Sequence, residues 1–255
     1  MTVKGSGADE QQARRRIRQT LWFMAILSFL GGVAWFLLSP YMSVKEVVIT
    51  GAVKVPVEDL LAEWQVVEGR PLVAIRTGTV EDELRDIPRV ASATVRLVFP
   101  GRVEVLVRER VDTAWVKLVD RWGLVAEDGV LVGYAATPTS PLPRIRVSID
   151  DPGLGQGLEA HDAQGAMEFI SALPDGLAGQ TIIQASDQEL WVWLNNRIAR
   201  LGLPYEMGDK ATSLLTILNT APDGLIDVSV PGRPAVRPWD TGTGRANSIP
   251  TFNLN

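Results

Sequence analysis

The residues most able to carry chemistry in this sequence are few and isolated. His161 is the only histidine among the 255 residues, and there is no cysteine. A Ser-His-Asp triad would therefore depend on His161, but no Gly-x-Ser-x-Gly sequence surrounds any serine. The lack of cysteine excludes disulfides, thiolate chemistry and the usual structural zinc sites. We predict that His161 is a surface residue without a catalytic role.

A glycine-rich segment is the second feature that could bind a ligand. Gly153, Gly155 and Gly157 alternate with other residues, a spacing that superficially matches a phosphate-binding loop. The segment lacks the Lys-Ser/Thr ending of that motif and lies in a weak strand–loop–helix setting. We therefore predict a flexible loop that binds no phosphate.

Clustered carboxylates are the remaining catalytic candidates. A glycosidase needs two acids in a cleft, one of them with a raised pKa, and nothing in the pattern favours that arrangement. The acid clusters instead fall where helix ends and loops are predicted, at Glu58/Asp59, Glu81/Asp82/Glu83 and Asp150/Asp151. The sequence thus predicts no catalytic site, no metal site and no cofactor.

An apolar segment near the N-terminus predicts a membrane anchor. Leu21–Leu38 carries no charge and would span roughly 27 Å as a helix, close to the thickness of a bilayer core. A cleaved signal peptide is the alternative, but its apolar core would be shorter and would end in small residues before the cleavage site. We therefore favour a retained transmembrane helix over residues 21–38, after a disordered cytoplasmic tail over residues 1–20.

The charges that flank this segment predict its orientation. Arg14, Arg15, Arg16 and Arg18 precede it, whereas Lys45 is the only basic residue soon after it. Because basic residues are retained on the cytoplasmic side, the N-terminus should lie inside the cell and the rest of the chain outside. The formal net charge of −5 also argues against nucleic-acid binding.

Residues 43–110 have the pattern of a small α+β domain. The predicted order is strand, helix, helix, strand, strand, which would bury one sheet face under two helices. The strands are expected at Val44–Thr50, Val90–Phe99 and Val103–Arg108, and the helices at Pro56–Trp64 and Thr79–Arg85.

Residues 111–239 change to a strand-rich pattern with two helices, at Ala163–Leu173 and Asp209–Leu218. Trp191 and Trp193 share one face of a predicted strand, because side chains alternate with a period of two. Packing in the core is the favoured interpretation, and a partner-facing aromatic patch is the alternative. Residues 240–255 are polar and are predicted to be disordered.

A series of short sequences identifies a family. The bacterial FtsQ/DivIB cell-division proteins share the pattern P-x-V-x-x-A-x-V … P … V-x-E-R. This chain has a similar pattern in three consecutive stretches, Ile87–Arg96, Phe99–Pro100 and Val105–Arg110. In that family the first extracytoplasmic domain is a POTRA (polypeptide-transport-associated) domain, here residues 43–110. Further pieces resemble the family's second domain, at Asp128–Leu131, Arg200–Gly202, Lys210 and Ile226–Val228.

The resemblance implies a non-catalytic scaffold at the division septum. Such proteins hold FtsB-like and FtsL/DivIC-like membrane partners and help control the septal peptidoglycan synthase complex. The resemblance also implies that the final strands form an edge that receives a partner segment by strand addition. We expect that edge to consist of five consecutive residues, namely Ile226, Asp227, Val228, Ser229 and Val230.

Two other functions remain open at this point. The first is a POTRA-bearing transport or outer-membrane assembly component, although such proteins usually carry repeated POTRA domains and a barrel. The second is a membrane-tethered cell-wall enzyme. Incubation of the fragment from about Ser43 with isolated peptidoglycan would separate an enzyme from a scaffold.

The predicted orientation can be tested with reporter fusions. A reporter that works only outside the cytoplasm should be active when it is fused after Asn255, because the basic cluster before residue 21 holds the N-terminus inside. Activity of a strictly cytoplasmic reporter at the same position would contradict the orientation. The same two reporters placed before Met1 serve as the reciprocal control.

Overall fold

The computed structural model of the protein describes residues 7–64, 66–220, 222–237 and 250–252. The chain divides into two compact units, residues 1–85 with 92–108 and residues 86–91 with 109–255. The predicted class is confirmed, because an N-terminal apolar helix is followed by an α+β domain and a second, strand-rich mixed region. Most of the tail predicted to be disordered, residues 240–249 and 253–255, lies outside the described residues, as do residues 238 and 239.

The N-terminal helix is longer than the sequence pattern predicts. Helix α1 extends over Gly7–Leu37, and within the described residues only its part Arg18–Leu37 is long and apolar enough to cross a membrane. The prediction of a disordered tail before residue 21 is therefore wrong for residues 7–20. This segment is rich in Ala, Gln and Arg, which are good helix formers, and it extends a helix that the apolar segment has already nucleated.

The first unit follows the predicted order of a POTRA domain. One face of its three-stranded sheet, in the order β1-β3-β2, is lined with valine and alanine, and β1 lies parallel to β3. Its elements are β1 (Glu46–Thr50), α2 (Val57–Glu63), a 3₁₀ turn (Leu72–Ala74), α3 (Thr77–Arg85), β2 (Val90–Val98) and β3 (Arg102–Glu109).

Alternation along β2 separates the core of the first unit from the solvent. Ala93 and Val95 are 3% and 5% exposed, whereas Ser92 and Arg96 on either side of this pair are exposed and Thr94 between them is half-buried. This agrees with the expectation that odd-numbered positions face one side of the sheet. Val90 departs from it, because this residue is buried at the start of the strand. The other fully buried residues of this core include Leu61, Leu72, Leu84, Val103, Val105 and Val107.

The second unit is built on one nine-stranded sheet, in the order β12-β11-β10-β9-β8-β7-β4-β5-β6. The pairs β4–β7, β7–β8 and β10–β11 are parallel, and the other five neighbouring pairs of the sheet are antiparallel. The strands are β4 (Asp112–Lys117), β5 (Trp122–Ala126), β6 (Leu131–Ala135), β7 (Arg144–Arg146), β8 (Ile182–Ser186), β9 (Glu189–Leu194), β10 (Arg197–Gly202), β11 (Leu225–Asp227) and β12 (Ala235–Arg237).

Helices cover one face of this sheet. Parallel neighbours need a crossover connection, usually a helix, and α4 (His161–Ser171) with the short α5 (Asp175–Ala178) links β7 to β8, while α6 (Met207–Ile217) links β10 to β11. Their apolar side chains, including Phe169 and Leu214, form the main core with the facing residues of the strands.

A loop covers part of the opposite face. β6 is the last strand of the sheet and β7 lies beyond β4, so residues 136–143 must cross β5 and β4 to connect them. Leu142 of this loop packs on a second cluster that contains Trp115 and Trp122, and the indole Nε1–H of Trp115 donates to Ser140 Oγ at 3.1 Å. The outer face over β7 to β10 is not crossed by this loop.

A charge network on that outer face ties the last strands together. Arg200 on β10 donates to Glu189 at 2.6 Å and to Asp227 Oδ2 at 3.1 Å. Ser229 donates to Asp227 Oδ1 through its backbone N–H at 3.0 Å and through its hydroxyl at 2.6 Å. Burial alone would raise the pKa of Asp227, but the bonds from Ser229 and Arg200 outweigh it and lower that pKa. The bond to Glu189 is the main cause of a raised pKa at Arg200.

The burial of Val95 generates a stability prediction. Val95→Asp places a carboxylate in a small apolar core, so we expect a loss of about 3 kcal/mol or more in the stability of the first unit. Hydrogen exchange of the β2 and β3 amides in the full chain measures this loss without separating the two units. Ser92→Asp, which adds the same charge at an exposed position of the same strand, is the matched control. Equal protection in both variants would show that Val95 is not a core residue.

The lowered pKa of Asp227 generates a pH prediction. A carboxyl with a lower pKa in the folded state stabilises the fold above its unfolded pKa of about 3.9, and this contribution is lost as the pH falls through the folded value. Asp227→Asn should cost about 1–3 kcal/mol at pH 7 and should reduce the further loss of stability below about pH 4. Urea midpoints between pH 7 and pH 3 measure both effects. Asp223→Asn, which alters an exposed carboxyl, is the control. Equal acid sensitivity of Asp227→Asn and the unaltered chain would show that Asp227 is not the source of this pH dependence.

Candidate partner-binding edge

The residues first considered for catalysis are dispersed in the structure. His161 is exposed at the first position of α4, and the acids at positions 81 and 82 pair with Arg85. Among the residues that the structure describes, no group of three or more His, Cys, Asp or Glu side chains is arranged to hold a metal ion. Asp150 and Asp151 line a cavity of about 900 Å³ together with Glu127 and Asp128, whereas neither His161 nor the acids of α3 line it.

The glycine-rich segment protects one end of β6. The backbone N–H of Gly155 donates to the Leu131 carbonyl at 2.8 Å, and the Leu131 N–H donates to the Gln156 carbonyl at 2.9 Å. Gly153 and Gly155 have φ angles of +90° and +81°, a region that favours glycine. The requirement for glycine thus comes from a loop that satisfies a sheet edge, and this role was not foreseen from the sequence.

Side chains of α3 protect the edge of the POTRA sheet at β2. The Val95 N–H donates to Glu81 Oε1 at 2.7 Å, and Arg85 donates to the Ala93 carbonyl at 3.2 Å. Arg85 and Glu81 also form an ion pair at 3.1 Å, which holds both groups in place. Two of the outward-facing backbone groups of β2 are therefore already occupied. The spacing of four residues between Glu81 and Arg85 was the one available sequence signal, because it places both on one helix face.

The edge strand of the second unit is β12, one strand beyond the edge expected from the sequence. β11 ends at Asp227 and lies between β10 and β12, so residues 226–230 are not the sheet edge. Ile226 and Val228 are fully buried in the main core, and the Val228 N–H donates to the Arg200 carbonyl at 2.9 Å. Ser229 is half-buried and Val230 is exposed beyond the strand. The sequence pattern could not reveal this order, because the order depends on which distant segments pair.

β12 is the last strand at this end of the described sheet. Ala235 and Arg237 are exposed, Val236 is half-buried, and the strand pairs antiparallel with β11 from Leu225 to Asp227. Arg237 Nη2 lies 3.5 Å from Asp227 Oδ2, so the charge network extends to the edge strand. Such an edge presents backbone N–H and C=O groups to an added strand.

The two tryptophans of β9 have separate environments. Leu190, Val192 and Leu194 belong to the main core on the helix side of the sheet. Because side chains alternate along a strand, Trp191 and Trp193 both point to the opposite face. Trp191 is 4% exposed and is therefore a packing residue. Trp193 is half-buried and lines a small cavity on the outer face.

Comparison with known proteins identifies the first unit. Residues 42–110 match the family described as POTRA domain, FtsQ-type. The match covers the three-stranded sheet and both helices, and it agrees with the strand–helix–helix–strand–strand order of the structure.

The similarity to known proteins extends over most of the chain. Cell division protein FtsQ from Mycobacteroides abscessus is 29% identical over 238 residues, which are 92% of this chain and 73% of the relative. FtsQ from Mycolicibacterium smegmatis is 29% identical over 88% of this chain and 66% of its own length. FtsQ from Streptomyces bingchenggensis is 28% identical over 88% of this chain and 90% of its own length. The chain therefore belongs to the FtsQ family of cell division proteins, and residues 42–110 are its FtsQ-type POTRA domain.

Proposed function

We propose that the protein is a membrane-anchored, non-catalytic scaffold of the bacterial cell-division machinery. In this role it binds FtsB-like and FtsL/DivIC-like division proteins outside the cytoplasm and helps to control septal peptidoglycan synthesis. The similarity to FtsQ proteins over most of the chain supports the division role. It also disfavours a transport component with repeated POTRA domains, because one FtsQ-type POTRA domain is matched.

The anchor and the orientation are part of the proposal. Arg18–Leu37 has the length and composition of a membrane span, and the arginines at positions 14, 15, 16 and 18 favour a cytoplasmic N-terminus. The POTRA domain and the nine-stranded sheet would then act on the outer side of the plasma membrane, at the division septum.

The available edge at β12 is the observation that carries the partner-binding part of the proposal. The described sheets have four strand edges, at β1, β2, β6 and β12. β2 is partly occupied by Glu81 and Arg85, and one end of β6 is occupied by the glycine-rich loop. Of the other two edges, β12 is the one in the second unit. β12 rests on β11 and β10, which are held by core residues and by the Asp227 network. A firmly held edge lowers the entropic cost of adding a partner strand, because the receiving backbone is already ordered.

Proline substitutions in β12 test this assignment. Proline removes a backbone N–H and is tolerated only where that N–H points away from the sheet, so Ala235→Pro, Val236→Pro and Arg237→Pro should be examined one at a time. At least one variant should keep the melting temperature of the full chain and lose about tenfold or more in affinity for the FtsB-like partner, which corresponds to about 1.4 kcal/mol. Co-purification from membranes and titration of the full chain in detergent measure the two properties.

The matched comparison is Val228→Pro. Its N–H is bonded inside the sheet, so this variant should lower the melting temperature, unlike a proline at an outward-facing N–H. If every β12 variant that stays folded binds the partner with unchanged affinity, strand addition at β12 is excluded.

A further inference from the structure

The connection between the apolar helix and the POTRA domain is short and ordered. A single 3₁₀ turn, Pro40–Met42, lies between α1 and β1. The Ser39 hydroxyl donates to the Phe36 carbonyl at 2.6 Å, and the Ser43 hydroxyl donates to the Pro40 carbonyl at 2.7 Å. These bonds join the helix end to the turn and the turn to the domain, so the first residues of the POTRA domain are held close to the end of α1.

An aromatic and cationic stack continues from the helix end into the domain. The ring centroids of Phe36 and Tyr41 are 6.2 Å apart, and Lys45 Nζ lies 4.8 Å from the centroid of the Tyr41 ring. Tyr41 is 58% exposed, and Lys45 is exposed as well. Tyrosine is enriched at membrane interfaces, and lysine near a helix end extends its amine to the polar headgroups. Because Arg18–Leu37 is the candidate membrane span, this stack lies at the level where the membrane would end.

The turn between β2 and β3 packs directly on this connection. The Lys45 N–H donates to the Gly101 carbonyl at 2.7 Å. Gly101 has a φ angle of +117°, and a Cβ atom at this position would lie 2.8 Å from the Ser43 carbonyl oxygen and 3.0 Å from two side-chain carbons of Lys45. A larger residue would therefore push the turn away from the connection. The close approach of Gly101 places the β2–β3 turn beside the residues that follow the apolar helix.

This turn exposes apolar side chains to the solvent. Phe99 is 54% exposed, and its neighbour Val98 is 39% exposed. Glu46 and Arg102 form an ion pair at 3.0 Å and contribute little net charge, whereas Lys45 adds a positive charge. Apolar surface gains free energy when it leaves water, and basic side chains are attracted to the phosphates of anionic lipids. An exposed phenylalanine and a lysine at the end of a membrane span therefore match the two layers of a membrane interface.

We propose that the β2–β3 turn of the POTRA domain is a membrane contact. The Phe99 ring lies at the boundary between lipid headgroups and acyl chains, and the Lys45 amine lies at the lipid phosphates. This inference rests on the membrane anchor that is part of the proposed function. A lipid surface is the favoured occupant, because α1 holds the turn against it and so supplies a high effective concentration. The contact holds the POTRA domain at a fixed height on the membrane.

Site-directed spin labels test this contact in the full chain. Because the sequence contains no cysteine, each of Phe99→Cys, Leu106→Cys and Phe29→Cys provides one labelling position. The chain is reconstituted in nanodiscs of phosphatidylcholine and phosphatidylglycerol. Collision rates of the label are then measured with oxygen, which concentrates in lipid, and with a water-soluble nickel chelate. The ratio of oxygen to nickel collisions should be several-fold higher at Phe99 than at Leu106, which is similarly exposed at 56% but lies about 13 Å beyond the start of β3.

A charge in the turn supplies a second test in which the label does not replace Phe99. A label at Val98→Cys should lose lipid exposure when Phe99→Glu is added, because a carboxylate is expelled from the apolar layer. Its collision ratio should fall towards the value at Leu106. Leu106→Glu in the same labelled chain is the matched control and should leave the ratio unchanged. Both substitutions alter exposed residues, so the melting temperature of the chain should be the same in each case.

The label at Phe29, a position inside α1, separates this proposal from the membrane anchor. Lipid exposure at Phe29 with water exposure at Phe99 would overturn the contact and leave the anchor intact, whereas water exposure at Phe29 would overturn both. A label at Phe99 that neither oxygen nor nickel reaches would indicate burial against a second copy of the chain and would exclude lipid as the occupant. Equal ratios at Phe99 and Leu106 would show no preference for the turn and would refute the assignment.

Discussion

Backbone N–H and C=O groups at the edge of a β-sheet must be bonded to something, and this requirement shapes both sheets of the protein. In the POTRA domain, Glu81 and Arg85 of α3 bond to the outer side of β2. In the second unit, the glycine-rich loop bonds to one end of β6. The opposite end of the nine-stranded sheet finishes at β12, a strand of three residues. Side chains and a loop thus occupy backbone groups at two of the four described strand edges, and β12 is one of the two that remain.

The second constraint is that a sheet in water needs cover for its apolar surface. Helices α4 and α6 supply it on one face of the nine-stranded sheet, and they also make the parallel pairs β7–β8 and β10–β11 possible. On the other face, the loop over residues 136–143 covers only the strands near Trp115. The rest of that face carries charged and aromatic side chains, among them the Asp227 network.

These two constraints leave surfaces that another chain can contact. The described polar groups discussed above lie along an edge and across an open face of the second unit. Membership of the FtsQ family and an N-terminal apolar helix place these surfaces in a cell-division protein with a candidate membrane anchor. Asp227 links the two surfaces, since it bonds to Arg200 on the face and approaches Arg237 on the edge strand.

The local patterns of the sequence were sufficient for the apolar helix, the order of the POTRA elements, the shared face of Trp191 and Trp193, and the family. Each of these depends on periodicity or short motifs, which are properties of neighbouring residues. The order of the nine strands was not accessible in this way, because it depends on which distant segments pair. For the same reason the sequence misplaced the edge at Ile226–Val230 and gave no role to Glu81 or Gly155. Those roles arise only when the fold brings each residue beside Val95 or Leu131, respectively.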